Sequence, residues 1–328
     1  AGGGGGPGVR ARQRGGSRGV PPQPVALALA VHAADFAELA RLGLFGPLGF
    51  RDYLWRTQAR LRALRGQGIE VHLRVFEPAD YRDYCEAFGL DPGSAAARVA
   101  YAADPELAGE PFVYGGEQLT ELLPVLVDDH LARVRISIAC AALLDVVGDG
   151  PSGQSRLVAV MHHVTGVYLA LAEGAGEGGH LLTLRCHGPE DGEHLTAAAD
   201  VRGDGGRVLL GGRDAEAFCA TLAAGVALGG AGALLLHGDP AAPGGPVVRG
   251  WALAAGRLRP MTAREVVDAL ADDAALGVPF PPGAVPLPGF PLPAAPPPGA
   301  APPSGAPPWP GGASDPGDRR PEGGGPLG

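Results

Sequence analysis

The sequence predicts an α/β to α+β fold: an N-terminal sheet domain of repeated βα units and a C-terminal α+β domain, flanked by disordered Gly/Arg-rich and Pro/Gly-rich tails. Three features point there. Two strand-like apolar runs near the N-terminus each pass directly into an amphipathic helix. The second half strings short apolar runs between Gly and Asp turns and closes on helices, the order of an α+β domain. The 55 Gly and 34 Pro crowd toward the ends, where no core can form. These features place a tail at residues 1–23, an α/β domain at 24–147, a linker at 148–155, an α+β domain at 156–277 and a second tail at 278–328.

"PVALALAV" (24–31) is a buried strand, followed by "AADFAELARL", where Asp35 is placed to cap the helix by accepting a free backbone N–H. "IEVHLRVF" (69–76) repeats the pattern with Ile69, Val71, Leu73 and Val75 on one face. "EPADYRDYCEAFGL" follows, opened by Pro78 and Asp80 and closed by Gly89. Ala34-Asp35-Phe36 and Ala79-Asp80-Tyr81 thus hold the same place in two units 45 residues apart. Such a duplication predicts parallel strands joined through the helix between them, residues 50–65. In that helix Phe50, Leu54, Leu61 and Leu64 form the apolar stripe, and Arg51, Arg56, Arg60, Arg62 and Arg65 flank it as a solvated face. Leu119, Leu122, Leu123, Leu126 and Val127 make a further helix, with His130 at its core edge. "RVRISIA" (133–139) alternates like a half-buried strand, and "GDGPSGQS" (148–155), free of apolar residues, reads as the linker.

"RLVAVMHHVTGVYLALAEG" (156–174) fits both spacings, and its β-branched content with Thr165-Gly166 predicts a hairpin. "HLLTLRC", "EHLTAAADV" and "RVLLGG" are short strands. A helix "DAEAFCATLAAGVALG", strands "GALLLHG" and "VVRGWALAAG", and a helix "MTAREVVDALADD" follow, the last with Thr262 and Glu265 as a capping box. The final 50 residues hold about half of the prolines. They predict extended polyproline-like coil, a passive tail in which Trp309 is the one candidate anchor for a protein partner.

The chain has no Lys and no Asn, so all 26 basic residues are Arg, the mark of a GC-rich coding sequence and a high-GC bacterium. Net charge is −9. Residues 1–70 carry ten Arg against four acids, and the remainder 16 Arg against 31 acids. An acidic body repels phosphate backbones, which leaves only an RGG-like arm with Arg10, Arg12, Arg14 and Arg18 for nucleic acid. Cys85, Cys140, Cys186 and Cys219 are far apart with no C-x-x-C and read as buried thiols in a reducing cytoplasm. The apolar run at 25–31 is too short for an export signal. Residues 217–236 split into a helix and a strand, so a cytoplasmic location without a membrane span is expected.

Several chemistries are excluded by residue type. Without Lys there is no P-loop and no Schiff-base lysine, and neither H-E-x-x-H nor G-x-S-x-G occurs. "GAGEGG" (174–179) matches G-x-G-x-x-G, but a strand-like run follows where a dinucleotide fold needs a helix. "RCHGPEDGEH" (185–194) concentrates metal-binding side chains, with Cys186, His187 and His194 the zinc candidates. Tetrahedral zinc needs more donors than this turn supplies, and the others would have to come from His162, His163 or His180. An acidic surface turn with two exposed histidines and no cofactor is the expectation. A second candidate follows from the parallel pairing: the strand ends bring together His32, Asp35, Glu77 and Asp80, at the edge where open α/β sheets bind ligands. The functional expectation is a non-catalytic bacterial binding or accessory protein. The alternatives are a small metal-assisted hydrolase, or an assembly protein acting through its Pro-rich tail.

Overall fold

The computed structural model describes residues 23–104, 111–204, 207–210, 212–239, 245–275 and 283–294. Over these the chain forms eight helices and two mixed sheets, of three and seven strands, an α+β architecture. It divides into two compact units, residues 1–134 and 135–328.

The first unit contains β1 (Val25–Leu29), α1 (Ala33–Arg41), α2 (Phe50–Gly66), β2 (Val71–Val75), α3 (Pro78–Phe88), α4 (Ala95–Ala103) and β3 (Phe112–Val113), and it ends within α5 (Leu119–Val147). β1 and β2 are parallel, Val25 opposite Val71 and Leu29 opposite Val75, and β3 lies antiparallel on the far side of β2. The two βα units are equivalent in detail. Phe36 N–H donates to His32 O and Tyr81 N–H to Glu77 O, each at 3.0 Å, and both rings are buried. The expected capping by Asp35 and Asp80 is corrected. His32 and Glu77 hold the N-cap positions with extended backbone and no side-chain cap bond. Helical backbone begins at Ala33 and at Pro78, whose ring fixes φ, so both aspartates fall within the first turn, where their charge favours the helix dipole.

One face of this sheet packs Leu29, Val71, Leu73 and Val75 against Leu61 of α2 and Leu119, Leu122 and Leu126 of α5. The other face holds Ala30, Phe36, Tyr53, Phe76, Tyr81 and Tyr101. Phe76 and Tyr81 meet edge to face at 4.8 Å, a geometry that adds about 1 kcal/mol to area burial.

The second unit continues from Arg135 through α6 (Gly150–Ala175), β4 (Gly178–His187), β5 (His194–Asp204), β6 (Arg207–Leu210), α7 (Gly212–Leu228), β7 (Gly232–His237), β8 (Val247–Ala254), β9 (Arg257–Pro260), α8 (Ala263–Ala275) and β10 (Val285–Pro288). The sheet order is β10-β8-β7-β4-β5-β6, with β9 also paired to β8. Leu182, Leu184, Ala197, Leu234 and Trp251 on one face pack against Val164 and Leu171 of α6 and Phe218 and Leu222 of α7. On the other, Leu235 and Val248 meet Val266 and Leu270 of α8. Thr262 and Glu265 form the expected capping box: Thr262 N–H donates to Glu265 Oε2 at 2.8 Å, and Glu265 N–H to Thr262 Oγ1 at 3.3 Å.

The structure departs from the sequence reading at four further places. "RVRISIA" lies inside α5: past Pro124, near the start of the helix, no Gly or Pro occurs before Gly148, and the Ala- and Leu-rich flanks carry helix through a locally alternating run. Residues 156–174 belong to α6, since Val164, Val167, Tyr168, Leu171 and Ala172 fall on one buried stripe. Thr165 is accommodated by donating to Met161 O at 2.9 Å, one turn back. Of the linker, residues 150–155 open α6 and only Gly148 and Asp149 separate the helices, while the division into units falls within α5. Among the described residues α6 alone is long and apolar enough to cross a membrane by length and composition, and its buried stripe packs in this core.

The fourth concerns the Pro-rich tail, of which residues 283–294 are structured. β10 pairs parallel to β8, Val285 opposite Val247 and Pro288 opposite Gly250. Val285 N–H donates to Pro246 O at 2.9 Å and Gly289 N–H to Gly250 O at 3.1 Å. Alternation along the strand turns Pro286 and Pro288 outward, which is how a segment so rich in proline is tolerated as an edge strand. The RGG-like arm at 10–18, the rest of both tails and Trp309 lie outside the described residues.

Candidate functional site

β1 is an edge strand. Val25 N–H donates to Glu70 O and Leu29 O accepts from Phe76 N–H. Backbone groups alternate along a strand, so Ala26 and Ala28 present theirs away from β2. They open into a cleft of about 330 Å³ between β1, α2 and α4. Ala30, next in the series, donates its N–H to Tyr53 Oη at 3.0 Å, which closes one end of the free edge. The cleft walls are apolar, with Phe45, Leu48, Phe76 and Val99, and three guanidiniums, Arg56, Arg60 and Arg98, also line it. Among the described residues no acidic one does.

α2 positions two of these cations. Tyr53, Arg56 and Arg60 lie three and four residues apart and so share a helix face, with Tyr53 buried against β1 and both arginines exposed. α4 supplies the third. Ser94 caps it, its Oγ accepting from Ala97 N–H at 3.1 Å, and Arg98 Nη1 donates to Leu44 O at 3.1 Å. Arg98 Nε is buried without a hydrogen-bond partner. Among the described residues none of the three arginines is paired with a carboxylate. Burial holds the Tyr53 hydroxyl above its ordinary pKa, with the Ala30 hydrogen bond and the Arg98 charge acting in the opposite direction. It remains protonated at neutral pH.

The crevice expected at the strand ends is differently used. His32 and Glu77 do sit at equivalent positions just beyond β1 and β2, but no hydrogen bond or ion pair joins them among the described residues. Glu77 lies 3.6 Å from His130 Nε2. Asp80 accepts from Tyr101 Oη at 2.7 Å and stands 3.8 Å from Arg74, whose guanidinium covers the Tyr101 ring at 4.1 Å. That network consumes Asp80 as a structural clasp. Asp35 stays in the first turn of α1.

Of the zinc candidates, two are brought together and the third is not. His187 and His194 are directly opposite on β4 and β5, with ring centroids 5.3 Å apart, and both are exposed. Cys186 points through the other face, its Sγ 3.9 Å from Leu195 O and Thr221 O. Burial raises that thiol to about 11. Among the described residues no three His, Cys, Asp or Glu side chains form a metal-holding group.

Sequence reasoning assigned Arg56 and Arg60 to a solvated face and passed over Tyr53, Arg98 and the free edge of β1. One signal was present: "ALALA" alternates small and large side chains, and small residues along an edge leave room for another chain to approach. A family model described as a domain of unknown function, DUF8829, matches residues 12–117, a span that contains every residue lining the cleft. No curated protein and no solved structure matches the chain.

Proposed function

We propose that the chain is a non-catalytic binding protein whose first unit takes a short acidic peptide segment in extended conformation along β1. One observation carries this reading: three arginines without carboxylate partners converge on a sheet edge that no described strand pairs, in a cleft that α4 flanks, in a chain of net charge −9. Strand addition at such an edge draws affinity from main-chain hydrogen bonds and specificity from side-chain pockets. Ala26 and Ala28 supply the former, the apolar walls take alternate side chains, and the guanidiniums select carboxylates through charge-assisted bonds.

A fluorescein-labelled peptide alternating Val and Glu tests the assignment by anisotropy. Binding is expected to weaken at least about tenfold in Arg56→Glu/Arg60→Glu, and to fall as salt rises from about 50 to about 500 mM. The amides of Ala26 and Ala28 are expected to gain hydrogen-exchange protection with peptide bound. Equal affinity in the charge-reversed chain, or no binding to the wild type, refutes the reading.

A further inference from the structure

In the second unit the chain itself fills a groove beside β8. β10 completes the β8 edge, and the residues after it enter a slot. Gly289 crosses Trp251 so closely that a Cβ there would lie 2.3 Å from the indole ring. The Phe290 ring rests where a Cβ on Gly174 would be 2.1 Å from it, and meets Trp251 edge to face at 4.9 Å. Trp251 Nε1–H donates to Phe290 O at 2.8 Å, and Arg249 Nη1 to Pro288 O at 3.1 Å. An indole N–H donated to a carbonyl beside proline, with an aromatic floor, is how grooves hold proline-rich chains; pairing along β8 adds strand-type recognition.

We propose that the β8 edge and the slot between Gly174 and Trp251 recognise an extended, uncharged, proline-flanked aromatic segment of a partner protein, and that residues 285–292 occupy the site in cis until such a partner displaces them. The chain's own segment defines what fits: Val-Pro-Leu-Pro-Gly-Phe-Pro-Leu, without a charge. Its hold combines pairing with β8, packing of β10 beside α8, and Ala284 against the Val266 and Leu270 cluster. The strand has four residues, and beyond it two half-buried apolar side chains, Phe290 and Leu292, complete the contact. Tethering keeps it in place, because a short connection supplies an effective concentration of about 1 mM. A second copy offers the same segment at far lower concentration and gains nothing over the cis contact. A partner with additional contacts does.

The test uses the full chain and a fluorescein-labelled peptide of residues 283–294. In Gly289→Ala the added Cβ evicts the cis segment and leaves the groove residues unchanged; Phe290→Asp evicts it by charge. Both are expected to bind the peptide about 100-fold more tightly than the wild type, the lower end of the range by which a tether at about 1 mM effective concentration favours its own segment. Adding Trp251→Ala to either should abolish binding. A folded Gly289→Ala chain that fails to bind at about 1 mM peptide overturns the proposal. The wild type provides an arm that needs no variant: excess unlabelled peptide should accelerate amide exchange at Leu287 and Gly289 several-fold, and unchanged exchange also overturns it. Peptide-suppressible dimers of the wild type would overturn the assignment to a foreign partner by identifying a second copy as the occupant.

Discussion

Replacing Thr183 by Val should cost the second unit several kcal/mol, although the two side chains have nearly the same shape. Thr183, His237 and Asp273 are buried together between the sheet and α8. The Thr183 hydroxyl donates its single proton to Asp273 Oδ2 at 2.8 Å. Toward His237 Nε2, at 3.2 Å, the same oxygen must therefore accept, which fixes the ring with its hydrogen on Nε2. Valine removes both roles at once. It leaves a buried carboxylate without this donor and a buried ring N–H without its acceptor, at about 1–3 kcal/mol for the neutral group and more for the carboxylate. The sum is about 3–5 kcal/mol, or a fall of about 10 °C in Tm for a unit of this size. Thr183→Ser keeps the hydroxyl and loses one methyl, so it should cost only about 1 kcal/mol. Thermal melting followed by circular dichroism reads both. Equal shifts for Val and Ser, or a Val shift under about 2 °C, would refute the assigned network.

Three further outcomes are expected. Burial holds His163 and His237 below the ordinary value of 6.5, so the unfolded chain takes up protons first as pH falls. Their contribution is complete above 6.5 and is lost as pH drops through it; urea midpoints should decline from pH 7.5 to pH 5, and a rise would contradict this. Glu265, held at about 2 by Arg259 and the Thr262 hydrogen bonds, titrates below that window. Burial raises Cys186 and Cys219 to about 11, so iodoacetamide at pH 8 should leave both unmodified until denaturant is added; rapid native labelling by mass spectrometry would show that either thiol is accessible. Two glycines of α6 should respond with opposite signs. A Cβ on Gly153 would stand 1.9 Å from Gly148 O, whereas one on Gly166 meets nothing within 4 Å. Chemical denaturation should therefore show Gly153→Ala losing about 1–3 kcal/mol and Gly166→Ala gaining up to about 1 kcal/mol.

The parallel βα pair was legible because the same local grammar occurs twice: an apolar strand, then an Ala-Asp-aromatic triplet whose aromatic turns into the core. The capping box at Thr262 and Glu265 was legible for a similar reason, being decided within four residues. Residues 133–139 and 156–174 misled because β-branched residues suit either state, and which state wins depends on the sheet that α6 covers. The cleft was hidden for another reason. Arg56 and Arg98 are 42 positions apart in sequence, and only the packing of α2 and α4 beside an unpaired β1 gives their charges a common target. At the zinc turn the sequence paired His187 with His194 correctly, while one step along β4 turns Cys186 to the opposite face.

Pro286 and Pro288 have a consequence for how long this molecule keeps to itself. Their imide nitrogens carry no hydrogen, so a passing strand meets a rim that cannot donate at either position. Proteolytic trimming ahead of Val285 would strip that cover and bare the Pro246 and Val248 backbone, converting a sealed border into a template for intermolecular stacking. Preparations nicked in this region should therefore cloud on standing while intact protein stays clear.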